Sequence, residues 1–342
     1  MTLHNLIKKA LPIIAIGSTT IVMGGIALLY MFQRNLIYTS HYPVGSRKNV
    51  PKPIEFGIPY SQVILITEDK VHIRAFVCKR QNDEETTRRS TILMFHGSGG
   101  NMGHRLPIAE RFYKDFKCNV ILLSYRGYGR SEGIPSEQGL RLDAQAALDY
   151  IKQDYLLRDT NLIIYGQSLG GAVAIDLVSR NESKVNALII ENTFLSIPKA
   201  IPFAMPTLRY LKFMFSEIWP SEISIKKIDE IPILFISGTK DEIIPPQQMK
   251  TLYELTNTKG GKVWREIPGG THERTVTKPR YFEFIGEFLK TIPNLLEEDE
   301  EENDCDDDEE YVNGVNSSVN GVNNVNDKEE DLRRVWEEKK KK

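Results

Sequence analysis

YGQSLGG, residues Tyr165 to Gly171, follows the apolar run Asn161-Leu162-Ile163-Ile164 and opens a stretch rich in Ala, Val and Leu. Packing gives a poor account of it, because a strand favours branched side chains and a helix start has no need of three glycines. Chemistry gives a better one. Gly166-Gln167-Ser168-Leu169-Gly170 fits G-x-S-x-G, after a strand and before a helix, which is the setting that motif requires. The serine then occupies a sharp, strained turn, and glycines two places to either side remove β-carbons that would collide with it. Such a turn lifts the hydroxyl above the sheet.

Outward from this turn the pattern is strongly periodic. SQVILIT, from Ser61, and VHIRAFV, in which Val71, Ile73, Ala75 and Val77 alternate with polar partners, read as two strands joined by the tight turn Glu68-Asp69-Lys70. After the polar loop 81–90 come the short apolar runs TILMF, NVILLSY, NLIIY, NALII and PILFIS, then the mixed VWREI, with helical patterns such as Glu137 to Leu157 between most of them. Continuous apolar strands alternating with helices imply an α/β fold: a mostly parallel eight-stranded sheet flanked by helices on both faces, with an antiparallel hairpin in front. Residues 196–230 carry many apolar side chains interrupted by four prolines. They read equally as a pair of amphipathic helices covering the sheet and as a cap contributing an apolar channel.

A serine hydroxyl is a poor nucleophile near neutrality, so it needs a base and an orienting acid that the fold can deliver. His272, in GGTHE, follows the last strand, and Asp241, in SGTKDEIIPP, follows the strand PILFIS. Each lies at the carboxyl end of a strand, as does Ser168, so the three can converge on one rim of the sheet. Glu191, directly after NALII, competes with Asp241 for the role of acid. An oxyanion would need backbone donors: the amide of Leu169, and a second from the loop His96-Gly97-Ser98-Gly99-Gly100-Asn101, with Ser98 the choice and Gly97 or Gly99 the alternatives. His96 itself reads as a residue that holds this loop by hydrogen bonds.

The order Ser, Asp, His is that of the α/β-hydrolase fold. FHGSGGN, SYRGYGRSEG, YGQSLGG, SGTKDEIIPP and GGTHE, in that sequence, resemble the α/β-hydrolase-domain serine hydrolases, and most closely the membrane-anchored Bem-type branch; the likeness covers roughly residues 11 to 293. It implies hydrolysis of acyl esters or thioesters, with depalmitoylation of proteins the activity proposed for relatives, and Ser168, Asp241 and His272 match the catalytic positions. A lipid esterase or lipase is the alternative within this chemistry. From another class, a membrane-tethered scaffold working through its acidic tail is the rival, and three groups in register at three strand ends count against it.

Composition narrows the field further. The net charge of −2 over 342 residues hides a basic front and an acidic back, and no cluster of Lys/Arg with aromatics suggests nucleic acid. Gly127-Tyr128-Gly129-Arg130-Ser131-Glu132-Gly133 imitates a dinucleotide fingerprint, but its third glycine is one place late; HGSGGN lacks the Lys-Ser/Thr of a phosphate loop. Three cysteines and six histidines without paired spacing imply no metal, and no cofactor is expected. Beyond a short N-terminal tail, residues 1–10, the uncharged run 11–32 suffices to span a bilayer, with 33–60 as a linker, 61–293 as the hydrolase domain and 294–342 as an acidic, low-complexity, disordered tail. A single-pass protein of the endoplasmic reticulum or another endomembrane, acting on an acylated protein or lipid, is therefore expected. Lys339 to Lys342 fit a dilysine retrieval signal if the tail is cytosolic, whereas the sequons at Asn181 and Asn316 would report a lumenal domain.

Overall fold

The computed structural model describes residues 23–292. Eight strands, β1 (Ser61–Ile66), β2 (His72–Cys78), β3 (Thr91–Phe95), β4 (Asn119–Ser124), β5 (Leu162–Gln167), β6 (Ala187–Glu191), β7 (Ile233–Gly238) and β8 (Lys262–Ile267), form one sheet in the order β1-β2-β4-β3-β5-β6-β7-β8. Among the described strands β2 alone runs against its neighbours; the remaining pairs are parallel. This is the expected α/β-hydrolase sheet, with the expected front hairpin.

Around it lie α1 (residues 23–37), α2 (Asp83–Arg88), α3 (Leu106–Lys114), α4 (Glu137–Gln153), α5 (Leu169–Asn181), α6 (Ile197–Ala204), α7 (Ser221–Ser224), α8 (Pro246–Leu255) and α9 (Tyr281–Leu289). The α4 helix starts where Ser136 Oγ accepts the Gly139 N–H at 3.1 Å, a cap worth about 1 kcal/mol. Its buried residues Leu140, Ala144, Ala147, Leu148 and Ile151 recur at helical spacing and close one face of the sheet.

Strand alternation sorts the core into two layers. Leu93, Ile164, Leu188, Ile190 and Phe235 point to the face covered by α4, α5 and α8. Ile92, Ile163, Tyr165, Ile189, Leu234 and Ile236 point to the face covered by α3 and α9. Both faces are dry, which is why β3 to β7 read as unbroken apolar runs. From β3 the chain steps to β4 on one side and returns to β5 on the other, so the order reverses at β3. Ligand sites of open α/β sheets lie at the carboxyl ends of such a reversal, which here is where the loop after β3 and the turn after β5 stand side by side.

The segment 196–230 forms α6, a 3₁₀ helix Pro206–Met214 and the short α7 rather than two full amphipathic helices. Pro202 and Pro206 remove backbone donors and limit each piece to a few turns. Ile197, Ala200 and Ile201 are buried, whereas Phe203, Tyr210 and Phe213 stay exposed. Of the expected membrane span, residues 11–22 lie outside the described residues and 23–32 belong to α1; among the described residues no helix is long and apolar enough to cross a membrane. The expected N-terminal tail and acidic C-terminal tail also lie outside them.

Candidate active site

Ser168 joins β5 to α5 with φ 54° and ψ −118°, a conformation that costs an L-residue on the order of 1–3 kcal/mol and persists only when its surroundings enforce it. The enforcement is steric. A β-carbon on Gly166 would lie 2.3 Å from the Gly170 carbonyl oxygen, and one on Gly170 would lie 2.1 Å from the Phe95 carbonyl oxygen. Only glycine at both positions lets the helix start this close to β3 and β5. The Ser168 carbonyl accepts the Thr193 hydroxyl at 2.7 Å, and the Ser168 N–H donates to the Glu191 carbonyl at 2.9 Å, so the turn is held from β6 as well.

His272 and Asp241 arrive from the loops after β8 and β7. His272 Nε2 stands 2.9 Å from Ser168 Oγ, and His272 Nδ1 stands 2.8 Å from Asp241 Oδ2. A carboxylate only accepts, so Nδ1 carries the proton and Nε2 presents its lone pair to the serine hydroxyl. The other carboxylate oxygen, Oδ1, accepts the N–H groups of Ile243 (2.9 Å) and Ile244 (2.8 Å), which aims Oδ2 at the imidazole. Asp241 and His272 are buried and Ser168 is half-buried, leaving the hydroxyl as the member of the three that a ligand can reach.

Glu191 is brought elsewhere. It continues the alternation of Ala187 and Ile189, so its side chain enters the face under α9. There Oε2 contacts Tyr165 Oη at 2.7 Å and Tyr281 Oη at 2.6 Å, while the two hydroxyls are 2.9 Å apart. Three close oxygen contacts need three protons and two tyrosines supply two, so the triangle is complete when Glu191 is protonated. Burial pushes this carboxyl up in the same direction. Gln167 Nε2 donates to Oε1 at 3.2 Å, placing the carboxyl as a brace beneath the serine turn.

Leu169 is the first residue of α5, so its N–H is among the donors that a helix start leaves without an intrahelical partner. The loop after β3 abuts it: a β-carbon on Gly97 would lie 3.6 Å from Ser168 Cβ. His96 Nδ1 donates to the Gly97 carbonyl at 2.8 Å, and Tyr128 Oη donates to the Ser98 carbonyl at 2.8 Å. Burial drives the His96 imidazole down to about 3, so it remains neutral and acts as a structural donor. The Gly100 N–H is already spent on the Tyr42 carbonyl at 2.7 Å.

Asn192, in left-handed conformation with φ 45°, is a supporting residue that the pattern of the sequence did not single out. Its Nδ2 donates to the His272 carbonyl (3.2 Å) and Thr275 Oγ1 (3.0 Å), and its Oδ1 accepts the Gly238 N–H (2.8 Å). One side chain thus ties the histidine loop to the end of β7. The available signal was an Asn directly after a strand, a residue type that tolerates positive φ.

The family pattern described as serine aminopeptidase S33 (Hydrolase_4) matches residues 86–228, ending before Asp241 and His272. Protein bem46 of Schizosaccharomyces pombe is 42% identical over 289 residues, covering 84% of this chain and 96% of that protein. The uncharacterized membrane protein YNL320W of Saccharomyces cerevisiae is 39% identical over 274 residues, covering 80% of this chain and 94% of that one. Among solved structures the Pyrococcus furiosus esterase Pf2001 superposes with a TM-score of 0.60 at 20% identity, covering 72% of this chain and 98% of the esterase. At that identity the likeness speaks to the fold.

Proposed function

This chain belongs to the α/β-hydrolase-domain proteins, in the Bem branch, and on that premise we propose that it is a membrane-anchored serine hydrolase that cleaves long-chain acyl esters or thioesters. One observation carries the reading: the unbroken relay from Ser168 Oγ through the His272 ring to Asp241, at 2.9 and 2.8 Å, beside a strained turn that leaves the hydroxyl accessible.

In the first half-reaction the Ser168 proton passes to His272 Nε2 as the Oγ–acyl carbon bond forms, and the carbonyl electron pair becomes an oxyanion held by the Leu169 amide and a donor of the loop 97–99. Collapse breaks the bond to the leaving oxygen or sulfur, which takes the proton from His272. Water then gives a proton to the same nitrogen and bonds to the acyl carbon; the Oγ–acyl bond breaks, Ser168 recovers its proton, and a carboxylic acid leaves. Asp241 stays ionised and holds the imidazole in the tautomer that both halves require.

Long acyl chains on lipids or lipidated proteins, palmitoyl groups foremost, fit the apolar segment 196–230 and the uncharged run 11–32, which we assign as the anchor. A relative named as a membrane protein supports the anchor. The test is labelling of the full chain by a fluorophosphonate, followed by hydrolysis of an S-palmitoyl peptide and of a short p-nitrophenyl ester. Labelling abolished by Ser168→Ala, with faster cleavage of the longer chain, is expected; labelling that survives the substitution sinks the assignment.

A further inference from the structure

The chain between α1 and the sheet is joined to the oxyanion loop by hydrogen bonds. Thr39 Oγ1 donates to the Ser98 carbonyl at 3.1 Å, and the Tyr42 carbonyl accepts the Gly100 N–H at 2.7 Å. Asn101 Nδ2 donates to the carbonyls of Ser46 (2.8 Å) and Asn49 (2.9 Å). The front of the segment is pinned as firmly: Tyr38 Oη donates to Glu217 Oε2 at 2.5 Å and accepts the Trp219 indole N–H at 3.0 Å. Tyr38, Ser40 and Ser46 are buried, as a passive tether's side chains would not be.

What these bonds hold is the orientation of amides. A peptide unit is planar and trans, so fixing a carbonyl fixes the direction of the next residue's N–H. The Gly97 carbonyl, held by His96, sets the Ser98 N–H; the Ser98 carbonyl, held jointly by Tyr128 and Thr39, sets the Gly99 N–H and limits rotation about Ser98. With Ser98 or Gly99 as the second donor, the Thr39 hydroxyl helps to aim the amide that meets the oxyanion.

We infer that Thr39 is a positioning residue for the oxyanion hole, and that residues 38–49 are a working part of the active site which connects it to α1. The inference rests on the serine-hydrolase reading above and adds a residue to it. Removing the Thr39 hydroxyl leaves the donor in place but less well held. Losing a donor outright costs 10²–10³ in turnover, so the loss expected here is smaller, about tenfold.

The experiment uses the full chain in detergent with p-nitrophenyl butyrate as substrate and a trifluoromethyl ketone, whose serine adduct carries the oxyanion, as the probe. Thr39→Val should lower kcat about tenfold and weaken the ketone by a similar factor, with KM changed less than about twofold. Thr39→Ser, which restores the hydroxyl, should recover both. Thr39→Ala should repeat the kcat and ketone losses without the valine methyl, and unchanged melting temperatures separate misaiming from misfolding. An active parent whose Thr39→Val and Thr39→Ala forms keep parental kcat and ketone affinity overturns this inference alone. A parent that neither turns over the ester nor binds the ketone overturns both this inference and the hydrolase reading.

Discussion

Asp241 and Glu191 stand at the carboxyl ends of adjacent strands, yet they face opposite fates. Asp241 lies three residues past the end of β7, in a loop with freedom to fold back over the rim, where its carboxylate receives two backbone N–H groups and the His272 ring. Glu191 is the last residue of β6 itself, so strand alternation commits its side chain to the α9 face and to two tyrosine hydroxyls. One acid is met by three N–H donors, while burial raises the pKa of the other. The difference teaches that proximity to a strand end is insufficient: parity within the strand decides which side of the sheet a carboxyl can serve.

The widest break in this contrast comes from removing the hydroxyl that either acid would have to serve. Ser168→Ala should lower kcat by about 10⁶ on a p-nitrophenyl ester. A residual rate within a hundredfold of the parent would leave neither acid a catalytic partner. Next, Asp241→Asn should cost on the order of 10⁴ through loss of the productive imidazole tautomer, whereas Glu191→Gln should hold kcat within about threefold. The reverse ranking in the same assay would exchange the two assignments.

Smaller effects are expected at the buried carboxyl. Tyr281→Phe deletes one member of the hydroxyl triangle and leaves Glu191 with a lost partner, so thermal or urea unfolding should register about 1–3 kcal/mol of destabilisation. An unchanged midpoint would show that the triangle contributes nothing. The smallest signal is in pH. Burial raises the folded-state pKa of Glu191, so its contribution to stability is complete below the ordinary carboxylate range and is lost as pH rises through the raised value. Glu191→Gln, which does not titrate, should therefore show a flatter decline of melting temperature with rising pH than the parent. Parallel curves would argue for an ionised Glu191.

Elements whose causes are local can be read directly from the order of residues. Eight strands were legible from the alternating front hairpin, five apolar runs of β length and the mixed VWREI, and the serine turn from glycines at 166 and 170, because steric clash and periodicity act over a few residues. The order of Ser168, Asp241 and His272 along the chain marked three strand ends, and the structure brings those three together. Proline placement in 196–230 was visible too, although its consequence, a short helix followed by a 3₁₀ piece, depended on which apolar side chains the sheet could accept.

Tertiary structure decided the rest, and for one reason: a polar side chain in a loop has no period, so its partner is set by where distant segments pack. Asn192 reaches the loop of residue 272 across 80 positions, Thr39 reaches residue 98 across 59, and Glu191 finds Tyr281 across 90. No local rule encodes those meetings. They exist because a twisted parallel sheet gathers its carboxyl ends at one rim and because α9 seals one of its faces, which are properties of the assembled chain.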